Sequence, residues 1–244
     1  SIKYLGTERL PKLYAFKAKV EYLLNKIPFL PKYIPDMILY YASQFFPPHL
    51  PKRLREYQAK YQHYLILSMT DEGIDEARQY LADEWSKTND VGYFECTEEE
   101  QEAALLHRFS AAGAGLRYQN MHQGSTEEML ALDIARLSND PDWIEELPED
   151  ISKDLDIALY YGHYMCHVFH NTYIFKKGTD VAAMKTKLLA MLESKGAKYP
   201  AEHNVGHMYE AEQVLKEFYA KLDPTNTFNP GIGKTDKRRP VMFT

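Results

Sequence analysis

Histidines are concentrated in two short stretches of the chain, GHYMCHVFH and YPAEHNVGH. The first contains His163, His167 and His170, and the second contains Glu202 and His203. Histidine titrates near neutral pH and is a common metal ligand, so either stretch could supply an acid–base group or metal ligands. On a straight strand, His163 and His170 would lie about 23 Å apart. On a helix they would lie about 10 Å apart. We therefore expect neither element to close a site around these two residues.

Two glycine-containing segments resemble nucleotide-binding loops, but each lacks a glycine that the loop requires. GIGKT resembles the end of a phosphate-binding loop, but Phe228 occupies the position where that loop requires glycine. Gly113 and Gly115 are followed by Tyr118 instead of a third glycine, so the dinucleotide-binding pattern is absent. Any nucleotide cofactor must be bound by other means.

The charge of the chain is distributed unevenly. The net charge of the 244 residues is −6, yet residues 1–60 contain 11 Lys and Arg against 4 Asp and Glu, together with seven of the 13 prolines. Such a split indicates an attached basic module. Cationic and apolar side chains together favour an anionic membrane surface, and the alternative is a solvated helical face or a lid. The acidic remainder and the lack of a groove-reading module argue against nucleic acid as a partner.

Composition excludes several other classes of protein. Two cysteines, Cys96 and Cys166, cannot form a disulfide framework or a four-thiolate zinc site, which fits a reducing compartment. No apolar run reaches the roughly 18 to 20 residues of a membrane-spanning helix, and the first residues lack the apolar stretch of a secretory signal. We expect a globular protein attached to a membrane only at its surface.

Hydrophobic periodicity and capping patterns predict an α+β arrangement, an antiparallel sheet with flanking helices in ferredoxin-like units, preceded by a basic amphipathic helical segment. Thr97 and Glu100 have the spacing of a capping box, and Gly196 is placed to end a helix. The predicted helices are 13–27, 36–45, 52–61, 71–88, 97–109, 140–147, 180–196 and 208–222, and the predicted strands are 63–69, 92–97, 127–135 and one or more within 158–175.

Five sequence motifs carry a resemblance to a known family: PPHLP, LHRFSAAGAGLRYQ, LYYGHYMCHVFH, YPAEHNVGH and NPGIGKT. The chain resembles the FAD-dependent 2-hydroxyacid dehydrogenases of the vanillyl-alcohol-oxidase type, whose C-termini carry Glu-His-x-x-Gly followed by Asp-Pro and Asn-Pro-Gly. Within that family it is most similar to the bacterial respiratory branch, and the similarity covers essentially all 244 residues. The resemblance implies an enzyme that oxidises D-lactate to pyruvate and passes electrons through FAD to a quinone.

The resemblance also implies a division of the chain. Residues 1–61 correspond to a membrane-binding segment, residues 62–198 to the cap domain over the substrate, and residues 199–244 to chain that packs on the FAD-binding domain. Most of that domain is expected to precede Ser1, so the isolated chain should bind no FAD and be inactive. Residues 199–244 should then expose apolar side chains such as Val205, Phe218 and Phe228.

Catalytic and substrate-binding roles follow from the matched motifs. His203, in the Glu-His motif, corresponds to the base that takes the hydroxyl proton of the substrate; the alternative is a structural histidine in a loop. Arg108 matches an arginine that binds the substrate carboxylate, for which a permanently charged, bidentate guanidinium is suited. The alternative for Arg108 is an ordinary arginine on the surface of a helix.

Metal and cofactor contacts are carried over in the same way. His163 and His170 match a histidine pair that ligates a divalent metal such as Zn or Mn in related flavin enzymes, and Glu202 is the third candidate ligand. The residues that separate the relatives' two histidines include turn formers, whereas 164–169 has none. Asn229 and Lys234 are candidate contacts to FAD.

The resemblance places the protein peripherally on the cytoplasmic face of the bacterial inner membrane. Its expected partners are D-lactate, a quinone and anionic phospholipid, and formation of a homo-oligomer is left open. The rival hypothesis is a non-enzymatic α+β interaction module with a basic helical arm, which residues 1–198 alone would allow. The Glu202–His203 motif and Asn229-Pro230-Gly231 favour the enzyme, because such a module has no reason to carry them.

Overall fold

The computed structural model describes residues 22–23, 26–27, 31, 33–45, 47–142, 144–201, 210–228 and 230–238. The predicted helix 13–27 lies largely outside these ranges, and Glu202, His203 and Asn229 lie outside them too. The chain divides into two compact units, Ser1–Met121 and His122–Thr244. The three functional segments inferred from the resemblance, 1–61, 62–198 and 199–244, stay a prediction.

The described part of the first unit is helical. Its helices are α1 (Ile34–Ser43), α2 (Lys52–Lys60), α3 (Gly73–Trp85), α4 (Glu98–Ala112) and α5 (Ala114–Met121). The predictions of helices at 36–45, 52–61, 71–88 and 97–109 are confirmed to within a few residues. Gly113 separates α4 from α5.

The predicted capping box begins α4. Thr97 Oγ1 accepts the backbone N–H of Glu100 at 3.3 Å, and the Glu100 carboxylate accepts the backbone N–H of Thr97 at 2.9 Å. Arg53 of α2 adds a second link, because its Nε donates to Glu100 Oε1 at 2.9 Å and its guanidinium lies 4.1 Å from the Phe94 ring centre. Arg53, and then the Thr97 N–H, lower the pKa of the Glu100 carboxyl. Arg53 therefore joins α2 to the start of α4.

A buried ion pair joins α1 to α5. Arg117 and Asp36 are both almost completely buried, with Arg117 Nε 3.7 Å from Asp36 Oδ1. The amide of Asn120 donates to Asp36 Oδ2 at 2.6 Å. Burial lowers the pKa of the Arg117 guanidinium to about 10, so the side chain still carries its charge at neutral pH.

The strands predicted at 63–69 and 92–97 are wrong, since the described residues 62–70 and 91–97 form no strand. Residues of the first segment are exposed, including Tyr64, Leu65 and Ile66 at 51 to 58%. The propensity of such a sequence for a strand reflects a fit to a half-buried pleated surface. These segments have no neighbouring strand among the described residues, so that propensity is not realised.

The second unit contains the sheet. Its elements are β1 (Thr126–Ala135), α6 (Glu149–Ser152), β2 (Leu155–His163), β3 (Val168–Lys176), α7 (Val181–Ser194) and α8 (Gln213–Leu222). The strands are antiparallel in the order β1-β3-β2, with β3 in the centre. The α+β class is therefore confirmed, and with three strands in the described sheet the ferredoxin-like arrangement is not confirmed.

Helix α7 covers one face of this sheet. The Asp180 carboxylate caps its N-terminus by accepting the Ala183 N–H at 3.0 Å, and Gly196, at φ 73°, follows its C-terminus as predicted. Met184, Leu188 and Leu192 recur every four residues and are buried. The core that they complete consists of Leu130, Leu132, Ile134, Ile151, Tyr173, Phe175, Met184, Leu188, Leu192 and Ala197.

The short helix predicted at 140–147 is wrong for the described residues 140–142 and 144–147. The Asp140 carboxylate accepts the Asp142 N–H at 3.0 Å, which favours a turn over a helix. Glu145 is buried and accepts the Asn171 amide at 3.0 Å and the Tyr173 hydroxyl. Side-chain hydrogen bonds thus fix this segment as a loop against the core.

The described residues 210–228 and 230–238 comprise an α-helix, a short 3-10 turn and a folded loop. Helix α8 begins at Gln213, later than predicted, because residues 210–212 are not helical. The Asp223 carboxylate accepts the N–H groups of Thr227 and Phe228 at 2.7 and 2.8 Å, and the Asn226 amide donates to the carbonyl oxygens of Asp236 and Arg238. Side chain to backbone hydrogen bonds, more than a core, define this loop.

Candidate functional site

A hairpin brings His163 and His170 together. His163 ends β2, His170 lies in β3, and their ring centres are 5.2 Å apart at an interplanar angle of 87°. The expectation that neither regular element could close a site is correct for straight elements, but the chain reverses between the two histidines. The two histidines, seven residues apart in the sequence, are therefore diagonal neighbours on adjacent strands.

The reversal is made without glycine, asparagine or proline. Residues Tyr164–Cys166 form one turn of 3-10 helix, and His167 adopts a left-handed conformation with φ 51°. The His167 carbonyl accepts the Arg136 N–H at 3.0 Å, and the His167 ring Nδ1 donates to the Leu137 carbonyl at 3.1 Å. These two hydrogen bonds, to residues that follow β1, hold His167 in the left-handed conformation, which histidine adopts only occasionally.

Asp133 stands beside His170 on the same face of the sheet. The register pairs Asp133 of β1 with His170 of β3, and Asp133 Oδ1 lies 2.7 Å from His170 Nδ1. Both side chains are partly buried, with 17% and 25% of their surfaces exposed. A carboxylate can only accept at this contact, so Nδ1 carries the proton in the neutral ring and Nε2 carries the lone pair.

Tyr161 completes a row of three residues across the sheet, because β2 pairs it directly with His170. Burial raises the pKa of the Tyr161 phenol to about 12, so the group remains a neutral hydroxyl at physiological pH. The face that carries Asp133, Tyr161 and His170 is opposite to the face covered by α7, since residues alternate between the two faces along each strand.

The chain before the Glu-His motif runs along the free edge of β1. Lys198 and Ala135 exchange backbone hydrogen bonds of 2.8 Å, and the Ala201 N–H donates to the Asp133 carbonyl at 2.9 Å. Ala201 is the residue that precedes Glu202 and His203 in the sequence. The described chain therefore reaches the Asp133–His170 pair at the point where the motif begins.

Two further candidate residues belong to other elements of the chain. Arg108 is an exposed residue of α4, in the first unit. Lys234 is exposed at the end of a 3-10 turn, Ile232–Lys234, in the second unit. The candidate base His203 and the candidate FAD contact Asn229 lie outside the described residues, so their roles remain predictions.

The donor set of the histidine pair is compatible with a divalent metal. Rings 5.2 Å apart can both reach one ion through Zn–N bonds of about 2.0 to 2.1 Å. A carboxylate on the second ring nitrogen is the usual partner of a metal-ligating histidine. Within the described ranges, however, no group of three or more His, Cys, Asp and Glu side chains could hold a metal ion. The third candidate ligand, Glu202, is outside those ranges.

Sequence reasoning missed Asp133, Tyr161 and the turn at His167. The available signal was the single carboxylate in the apolar strand LALDIA, where an acidic residue needs a partner. Without the register of β1 on β3, that partner could not be identified.

Fold and site define the class of protein: an α+β protein with a histidine–carboxylate pair on an antiparallel sheet. Residues 1–241 match the sequence profile of the family described as "D-lactate dehydrogenase, membrane binding", and the chain belongs to that family.

Three relatives have the name "Quinone-dependent D-lactate dehydrogenase". The chain is 49% identical to that of Haemophilus influenzae, 47% to that of Escherichia coli and 34% to that of Corynebacterium glutamicum, in each case over 98% of its own length. It spans 42% of the length of each relative. In the part of the chain that the structure describes, no helix is long and apolar enough to cross a bilayer.

Proposed function

We propose that this chain is part of a peripheral-membrane flavoenzyme that oxidises D-lactate to pyruvate and delivers the electrons through FAD to a quinone. The observation that supports this function is the 47 to 49% identity to quinone-dependent D-lactate dehydrogenases over 98% of the chain. FAD, when bound, would supply the acceptor for the hydride. It would be held mainly by parts of the longer protein outside this chain, with Asn229 and Lys234 as contacts from this chain.

The residues of this chain would bind the substrate and manage its proton. Arg108 would bind the carboxylate of lactate, and His203 would take the proton of its hydroxyl group. His163, His170 and Glu202 would hold a divalent metal such as Zn or Mn. Such an ion acts as a Lewis acid toward the oxygens of a hydroxy acid.

Membrane attachment is assigned to residues 1–61, on the cytoplasmic face of the bacterial inner membrane. The family description names membrane binding, and residues 1–60 contain 11 Lys and Arg against 4 Asp and Glu. Cationic side chains gain about 1 kcal/mol each beside an anionic leaflet. The partner surface would thus be anionic phospholipid.

Residues 199–244 would pack on the part of the longer protein that holds FAD. Helix α8 exposes an apolar stripe of Val214, Phe218 and Leu222, and Phe228 is 81% exposed. Phe218 and Phe228 are therefore exposed in this chain as expected, and Val205 lies outside the described residues. An apolar stripe on a helix is usually buried against another element, and this chain spans only 42% of the length of its relatives.

The test uses the full-length protein that contains this chain. We expect D-lactate to reduce a soluble quinone analogue, L-lactate to react far more slowly, and the isolated chain to be inactive and colourless. Folded full-length protein that binds FAD but does not turn over D-lactate would contradict the proposal. Stoichiometric FAD on the isolated chain would instead contradict the assignment of the FAD site.

A further inference from the structure

We infer that one face of helix α1, extended by the residue that follows its last turn, inserts into the headgroup boundary of an anionic membrane. This face consists of Ile38, Tyr41 and Phe45. The inference rests on the membrane attachment proposed for residues 1–61, and it names the part of that segment that enters the lipid. Salt screens the attraction between a basic protein and an anionic surface, whereas the attraction from an inserted apolar face is not screened.

The first support is the exposure of the three side chains. Ile38 is 54% exposed, Tyr41 58% and Phe45 89%. They are separated by three and four residues, which is the spacing of side chains that share one face of a helix. The Gln44 N–H donates to the Tyr41 carbonyl at 3.2 Å, so the chain continues to turn as it reaches Phe45. A cluster of exposed apolar side chains of this kind marks an interaction surface.

The second support is the opposite face of α1, which is held by α5. Asp36 is 3% exposed, it accepts the Asn120 amide at 2.6 Å, and its Oδ1 lies 3.7 Å from Arg117 Nε. At 3.6 residues per turn, Asp36 lies about 140 to 160° around the helix from Ile38 and Tyr41. Contacts to a buried carboxylate therefore fix the rotation of α1 about its axis, and the apolar face points away from α5.

The third support is charge, which favours lipid as the occupant of this face. Asp36 is the one charged residue in the sequence of α1, and it is buried, so no exposed charge of α1 opposes entry into lipid. The next helix, α2, exposes Lys52 and Lys60. An apolar face followed by cations is suited to the boundary of an anionic leaflet, where tyrosine is also favoured. The family description names membrane binding.

The first test measures the affinity of the full-length protein for phosphatidylglycerol vesicles over a series of salt concentrations. We expect Tyr41→Gln/Phe45→Gln to bind about 10- to 100-fold more weakly than wild type, because the burial of two apolar side chains is lost. The slope of log affinity against log salt should equal that of wild type, since no charge is removed. Tyr80→Gln/Leu105→Gln, at exposed apolar positions of α3 and α4, is the matched control and should bind like wild type.

The second test measures insertion directly. Tyr41→Trp is bound to vesicles whose lipids carry bromine near the top of the acyl chains, and its fluorescence is compared with that of wild type. We expect extra quenching for Tyr41→Trp and none for Tyr80→Trp. Before lipid is added, iodide should quench the new tryptophan, since this face is exposed.

The outcomes separate this inference from the proposed membrane attachment. If wild type does not bind anionic vesicles, the proposed attachment fails, and the inference fails with it. If wild type binds, then wild-type affinity of Tyr41→Gln/Phe45→Gln, or no extra quenching of Tyr41→Trp by brominated lipid, overturns the inference alone. A new tryptophan that is shielded from iodide in the absence of lipid also overturns it, because another part of the longer protein then covers this face.

Discussion

Two histidines of this chain acquire different properties from their surroundings. His170 has a carboxylate on one ring nitrogen, whereas His107 of α4 is partly buried and its Nδ1 has no hydrogen-bond partner among the described residues. Burial, and secondarily the charge of nearby His49, lower the pKa of His107. His49 itself lies close to α4, with Nε2 3.2 Å from the Ala103 carbonyl. Protonation of His107 would thus place a charge at a partly desolvated position beside another histidine.

We expect His107 to make the stability of the protein depend on pH. A group whose pKa is lowered in the folded state binds more protons when unfolded, so its contribution is complete above about pH 6.5 and is lost as the pH falls from there. Chemical denaturation at pH 7.5 and 5.5 should show a smaller loss of unfolding free energy for His107→Gln than for wild type. His63→Gln, at an exposed position, is the control. Equal losses for wild type and His107→Gln would contradict this expectation.

The proposed base His203 is tested by its effect on turnover. In the full-length enzyme, His203→Asn should lower kcat for D-lactate by about 10² to 10⁴-fold, because a general base acts mainly in the transition state. KM and the FAD content should change little. Arg108→Lys should differ by raising KM, because a carboxylate contact also stabilises bound substrate. Loss of FAD from His203→Asn would instead indicate a structural residue.

At the scale of elements, prediction from sequence succeeded where a segment carries its own signals. The predicted capping box of α4 and the predicted glycine after α7 are both found, and α7 also has an Asp cap and an apolar stripe. Prediction failed at 63–69, where strand propensity needs a partner that the local sequence cannot specify. For the same reason the local sequence does not predict that His163 and His170 meet. The turn between them is held by Arg136 and Leu137, which lie about thirty residues earlier in the chain.

Packing of α7 on the sheet should dominate the stability of the second unit. Leu188 is completely buried in the core, so Leu188→Ala should lower the unfolding free energy by about 2 to 5 kcal/mol through lost transfer energy and a cavity. Val214→Ala in α8 shortens an apolar side chain that is 79% exposed. This change should alter the unfolding free energy of the chain by less than about 0.5 kcal/mol. Urea denaturation of both variants makes the comparison. Similar effects of the two changes would contradict a core centred on α7 and the sheet.

At the scale of the whole molecule, the uneven charge should govern membrane binding. Co-sedimentation of the full-length protein with vesicles containing phosphatidylglycerol should weaken as salt is raised, because exposed charges are screened beyond about 10 Å at 0.1 M ionic strength. Vesicles of phosphatidylcholine alone should bind poorly. Strong binding to neutral vesicles that does not depend on salt would contradict the electrostatic argument.

Helix α2 offers a residue-level version of the same measurement. Lys52 and Lys60 are exposed, and the contact of Lys52 with Glu56, at 3.6 Å, is at the surface, whereas Arg53 donates to the largely buried Glu100. Replacing both lysines with Gln should weaken binding to anionic vesicles by about fivefold for each charge removed. The control is the same pair of changes at Lys153 and Lys221, exposed lysines of the second unit, which should leave binding unchanged.

The backbone bonds between residues 198–201 and β1 also set an order of events during synthesis. Until Lys198 and Ala201 have left the ribosome, the outer edge of β1 presents unpaired N–H and C=O groups at Ala135 and Asp133. At about 5 to 20 residues per second, that interval lasts on the order of several seconds after β1 has been made. A nascent chain stalled within it would carry an open strand edge, so slow translation between β1 and the Glu-His motif should promote aggregation before the histidine site can be completed.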